Sequence, residues 1–111
     1  MQSRSLDDIA SEFTEENHQP MLRLVQTMKT QSWAGQLVFD TSMLRIWAAR
    51  RFASEVEITI TYGDGRKGGR PLDGDLDAFD LAMKVNGAWS TAEHISTQAV
   101  LERMHQWLEA R

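Results

Sequence analysis

Between Glu55 and Tyr62 apolar and polar side chains alternate without a miss. Val56, Ile58, Ile60 and Tyr62 point one way, and Glu55, Glu57, Thr59 and Thr61 the other. This period of two predicts a strand with one buried face and one wet face. A second alternating run, Phe79–Val85, meets a third, Ala88–His94, across Asn86-Gly87. Asn-Gly between two alternating runs predicts a hairpin with a two-residue type I′ turn. Counting outward from it, Val85 faces Ala88, Met83 faces Ser90, Leu81 faces Ala92 and Phe79 faces His94. On the other face Lys84 lies opposite Trp89, Ala82 opposite Thr91 and Asp80 opposite Glu93.

The ends of the chain follow a helical period instead. Leu6, Ile9, Ala10 and Phe13 form one apolar stripe, opened by Ser5 as a cap with Asp8 three residues on. Met21, Leu24, Val25 and Met28 form a second. Glu15 to Pro20 interrupts them, and proline is tolerated only in a helix's first turn. Residues 5–32 therefore read as two helices, the second capped by Asn17, with one kinked helix as the alternative. Ser96-Thr97 opens a last helix over 97–110, with Val100, Leu101, Met104, Trp107 and Leu108 on one face.

Two stretches between these are less regular. Gln36–Asp40 reads as a short strand that turns at Asp40-Thr41-Ser42. Residues 43–51 hold strong helix formers, with Ser42 as a fair cap. They also alternate, Leu44, Ile46 and Ala48 against Arg45, Trp47 and Ala49, and the strand reading is adopted because it continues the meander. Gly63–Asp77 is rich in glycine and is expected to be a long, mobile loop. The predicted fold is α+β: a four- or five-stranded, mostly antiparallel meander sheet over 36–95, packed on one face by N-terminal and C-terminal helices. Residues 1–111 make a single domain.

Composition sharpens this picture at a few points. The net charge of -4 disfavours a general affinity for nucleic acid. With no cysteine there is no disulfide or thiol chemistry, which fits a reducing compartment. Met1–Asp8 has no apolar run of the kind a secretory signal needs, and no run nears the ~20 residues of a membrane span. A cytoplasmic protein without a membrane partner is expected. The 4 tryptophans are hard to bury in one small core. On the predicted register Trp47 and Trp89 leave the core face, which points to self-association, most simply as a two-fold homodimer.

Candidate chemistry is sparse. Asp73, Asp75 and Asp77 begin like a calcium loop, but its sixth and twelfth positions are Ala78 and Lys84 rather than glycine and glutamate. The basic, glycine-rich stretch with Arg66, Lys67 and Arg70 lacks the Lys-Ser/Thr and the helix of a phosphate loop. His18, His94 and His105 show no zinc spacing, and His94 reads as a hydrogen-bonded residue at the edge of the core face. No catalytic residue, metal ligand or cofactor is assigned. The polar sheet face is the better candidate, with Trp47, Glu57, Asp80, Trp89 and Glu93. If Asp80 and Glu93 oppose each other, a basic side chain, a bound cation or a partner must offset the like charges, or one acid rises in pKa for acid–base work. The reading adopted is a small soluble acidic protein that acts as a non-catalytic binding module. It docks a protein partner or itself through the acidic, Trp-bearing face or through Arg66, Lys67 and Arg70. The alternative is a small-molecule binder or small enzyme with a pocket between sheet and helices.

Overall fold

The computed structural model describes residues 4–13, 19–42, 45–62 and 79–110. Among them, strands β1 (Leu37–Ser42), β2 (Arg45–Arg50), β3 (Ile58–Tyr62), β4 (Phe79–Val85) and β5 (Ala88–Ile95) form one sheet. Every neighbouring pair is antiparallel and the order is β1-β2-β3-β4-β5, a plain meander. Helices α1 (Leu6–Ala10), α2 (Gln19–Lys29) and α3 (Thr97–Glu109) stand at the two ends of the chain. A short 3-10 helix, Ser32–Gln36, leads into β1.

Each helix begins where its sequence provides a way to begin. The Ser5 hydroxyl accepts the Asp8 N–H at 3.1 Å, and the Ser96 hydroxyl accepts that of Ala99 at 3.1 Å. Both caps satisfy donors that the first turn leaves open. Pro20 lies in the first turn of α2, where its missing N–H breaks no helical bond. Lys29, in the last turn of α2, reaches back to the Asp7 carboxylate and ties α2 to α1.

The apolar stripes converge on one face of the sheet. Ile9, Phe13, Leu24, Met28, Val100 and Met104 from the helical parts meet Ile46, Ala48, Ile58, Ile60, Phe79 and Leu81 from the strands in a single buried cluster. Sheet residues of the opposite parity carry no helical layer among the described residues. One cross-strand row on that open face runs Asp40, Trp47, Thr59, Ala82, Thr91.

Alternation outweighs helix propensity at Arg45–Arg50, which is a strand, because Ile46 and Ala48 are needed in the core at a spacing of two. Three expectations are corrected. β1 does not turn at Asp40 but runs on to Ser42. Asp40 takes the Thr41 N–H at 2.8 Å, and the Thr41 hydroxyl donates to the Arg45 carbonyl at 2.8 Å, so turn-forming residues sit inside the ladder. β3 starts at Ile58, not at Glu55, although the alternation begins earlier. The hairpin register holds from Val85–Ala88 to Leu81–Ala92 and then shifts, so that Phe79 pairs with Ile95 rather than His94. The extra residue is absorbed at His94, whose φ is 54, and the Asp80 carboxylate accepts the His94 N–H at 3.2 Å. Asp80 thus faces a bulge instead of Glu93 alone, and His94 is exposed rather than on the core face. Asn17, Met43, Leu44 and the Gly63–Asp77 loop lie outside the described residues.

Asn86 and Gly87 have φ of 52 and 82, as a type I′ turn requires. A Cβ at Gly87 would meet nothing within 4 Å, so any penalty there is one of backbone conformation alone. Gly87→Ala should therefore destabilise the fold by about 1–2 kcal/mol, and Asn86→Ala by less. Denaturant midpoints of the two variants check this, and unchanged midpoints in both would mean that the turn does not set the register.

Candidate functional site

Two tryptophans dominate the open face, and their surroundings differ. Trp47 is half-buried in the middle of the sheet, and its Nε1 is buried with no hydrogen-bond partner among the described residues. Trp89 stands on the last strand and is 48% exposed. Directly across the hairpin Lys84 holds its Nζ 5.9 Å from the Trp89 ring centroid, within range of a cation–π contact. The same Nζ pairs with Glu55 Oε2 at 2.6 Å, and that hydrogen bond holds the Glu55 carboxyl below its ordinary pKa. Asp80 is half-buried on this face with one oxygen committed to the bulge, and Glu93 is exposed beside it. The structure therefore brings Trp89, Asp80, Glu93, Lys84 and Glu55 onto the β4–β5 side of the sheet. Arg66, Lys67 and Arg70 lie outside the described residues.

Glu57 does not join them. It is 7% exposed and its carboxylate is taken up by Arg50. Oε1 accepts the Arg50 backbone N–H at 3.0 Å and Nε at 2.9 Å, while Oε2 accepts Nη2. The Arg50 guanidinium also lies 5.0 Å from the Trp107 ring centroid. Trp107 Nε1 donates to the Lys84 carbonyl at 2.7 Å, and the Lys84 N–H donates to the Glu57 carbonyl at 2.8 Å. The contacts tie β2, the entry to β3, β4 and the end of α3 together. Hydrogen bonds from Arg50 pull the Glu57 carboxyl below its ordinary pKa, against burial, which pushes it up. The bond to Glu57 raises Arg50 in turn, against the opposing effect of burial.

Beside this cluster Phe52 is fully exposed at a φ of 77. A bulky side chain in the left-handed region is strained, and strain of this kind collects at functional sites. Phe52 helps line a groove of about 650 Å³ together with Gln36, Arg50, Arg51, Ala53 and Leu108. A second groove of about 500 Å³ lies between α2 and α3, where Trp33 and His105 stack with centroids 5.7 Å apart. No group of three or more potential metal ligands is gathered among the described residues. No described helix is long and apolar enough to cross a membrane.

Sequence reasoning misses Arg50, Phe52 and the Lys84–Glu55 pair. The turn Arg50-Arg51-Phe52-Ala53 does carry a signal, an aromatic directly after two arginines in a connection with no glycine. The partnership of Arg50 with Glu57 has no pattern to betray it. No family model, curated protein or solved structure matches this chain, which leaves the α+β fold and its surfaces to indicate the function.

Because the folded-state pKa of Glu57 is depressed, its contribution to stability is present in full above the ordinary glutamate range. That contribution is lost as pH falls through the folded-state value. Glu57→Gln should lower stability at neutral pH by about 1–3 kcal/mol. The gap to wild type should close on acidification, as read from denaturant unfolding at a series of pH values. A gap of constant size down to acid pH would show that the carboxylate's charge contributes nothing.

Proposed function

We propose that the protein works by binding, and that it associates with a second copy of itself through the β4–β5 side of its open sheet face. The observation that carries this reading is Trp89, half-exposed on a sheet face that no helix covers among the described residues. Tryptophan is enriched among the residues that dominate interface energetics. The surrounding Glu55, Lys84 and Glu93 form the kind of polar rim that excludes water around such an anchor. Two-fold homodimers are the commonest assembly, and a second copy is always present at matching concentration. A different protein is the competing occupant.

Sedimentation equilibrium at micromolar concentrations tests this on wild type and Trp89→Ala. Wild type should approach a dimer, and the variant should dissociate at least about tenfold more readily, as expected for a hot spot of ~1.4 kcal/mol or more. A wild type that stays monomeric throughout overturns self-association and assigns Trp89 to a different partner.

The groove beside Phe52 supports a second reading, a small-molecule binder. Its lining of Arg50, Arg51, Phe52 and Leu108 combines cationic donors with apolar walls, which suits an aromatic or aliphatic carboxylate. A thermal-shift screen of such acids should raise the melting midpoint of wild type and not of Arg51→Ala. No shift with any of them would remove this reading.

A further inference from the structure

We propose that the two copies join edge to edge. β5 of one pairs antiparallel with β5 of the other about a two-fold axis beside Ser90, so that two five-stranded sheets become one continuous sheet. The proposal rests on the self-association reading above and specifies its geometry.

The hydrogen bonds fix which backbone groups the edge displays. Among the described residues β5 ends the sheet, with β4 as its one neighbour in the strand order. The Lys84 N–H is directed at Glu57 on the β3 side. In a strand the N–H and C=O of one residue point to the same side, so Lys84 turns both away from β5. Its cross-strand partner Trp89 is therefore in a non-hydrogen-bonded pair and turns its own N–H and C=O outward. The alternation gives Thr91 the same orientation, while Ala88, Ser90 and Ala92 face β4. Residues 88–91 are all exposed.

Two of the usual devices against edge pairing, charge and proline, are missing from this stretch. Ala88-Trp89-Ser90-Thr91-Ala92 holds no proline, no lysine and no other charge. Copies that each carry a net charge of -4 would thus meet along a neutral segment. The opposite edge is different, because the Arg4 N–H already occupies the Phe39 carbonyl of β1 at 2.7 Å.

The same facts select the register. With the axis beside Ser90, Trp89 bonds to the partner's Thr91, Thr91 to the partner's Trp89, and Ser90 lies opposite the partner's Ser90. Every outward group from Trp89 to Thr91 is then satisfied. An axis at Thr91 would instead need Glu93, which lies where the register shifts. Both Trp89 rings fall on the open face at diagonal positions, where aromatic side chains reach one another over roughly 7–8 Å.

The chain has no cysteine, so Ser90→Cys carries a single thiol. In a non-hydrogen-bonded antiparallel pair the Cα atoms are about 4.5 Å apart, within disulfide range. Mild oxidation should convert this variant to a covalent dimer, whereas Glu102→Cys, exposed on α3, should stay uncrosslinked. Thr91→Pro removes one outward N–H from an edge that tolerates proline. It should weaken the dimer at least about tenfold and leave the far-ultraviolet circular dichroism unchanged. If Thr91→Pro misfolds, the crosslinking comparison decides alone. Failure of Ser90→Cys to crosslink, with dimerisation still lost in Trp89→Ala, overturns edge pairing and leaves the face reading standing. A monomeric wild type with no crosslinking overturns both.

Discussion

All the helices of the described chain pack on one face of the sheet, and the other face must meet its surroundings with side chains alone. That one-sided layering explains most of the surface. On the covered face the strands supply Ile46, Ile58, Ile60 and Leu81, and α2 and α3 fill the space above them. On the open face the same strands alternate to Trp47, Thr59, Ala82 and Thr91, a mixture of threonine, alanine and aromatic residues. Such a face is half-suited to water. Threonine favours the pleated conformation and tolerates solvent, whereas tryptophan leaves apolar area that only a neighbour can cover.

The sheet end nearest Glu57 shows how that layering is locked. A buried carboxylate without partners would be costly, but Glu57 offers both oxygens to one arginine and its backbone to the flanking strands. Arg50 in turn lies against the Trp107 ring, whose own N–H is satisfied by Lys84. The pair carries a desolvation penalty that an apolar replacement of similar volume would avoid, whereas removing one partner alone leaves a buried charge uncompensated. The pair joins the end of β2 to the entry of β3 and, through Trp107, to the end of α3. It also holds the base of the Phe52 turn, because Arg50 is both the last residue of β2 and the first of that turn.

The legible parts of this chain are those where two independent signals agree. At Asn86-Gly87 the turn chemistry and the alternation on both sides specify one register, which holds through Leu81–Ala92. At α3 the Ser96 cap and the apolar stripe from Val100 to Trp107 mark the same helix. The placement of Trp47 and Trp89 on the open face follows from the same counting. Errors arise where a single local pattern is extended past its physical limit. The alternation from Glu55 says nothing about where hydrogen bonding to β2 begins, so it leaves Glu57 on a wet face when Arg50 draws it inward. The shift near Phe79 is invisible in the sequence because its left-handed residue is His94, with no glycine to mark it. At Phe52 the sequence shows an aromatic after two arginines but not its exposure, which depends on what the neighbouring elements leave uncovered.

The bulge at His94 bears on the proposed edge pairing. Placing a histidine at a φ of 54 is unfavourable by itself, and the Asp80 carboxylate, by accepting the His94 N–H, offsets part of that penalty. What the bulge changes is the shape of the edge. Bulges bend a strand and increase its twist, so β5 is a regular template only over Ala88–Ala92. A template that short can hold one antiparallel partner in one register. Pairing about a two-fold axis uses the β5 edge of both copies, and the outer edges of the joined sheet are then the two β1 strands. There the segment at Arg4 covers Phe39, and Arg4 itself is anchored by Glu12 at 2.9 Å. In the proposed assembly the bridge at Phe39 would interrupt that outer edge, which favours closure at two copies over growth into a fibre.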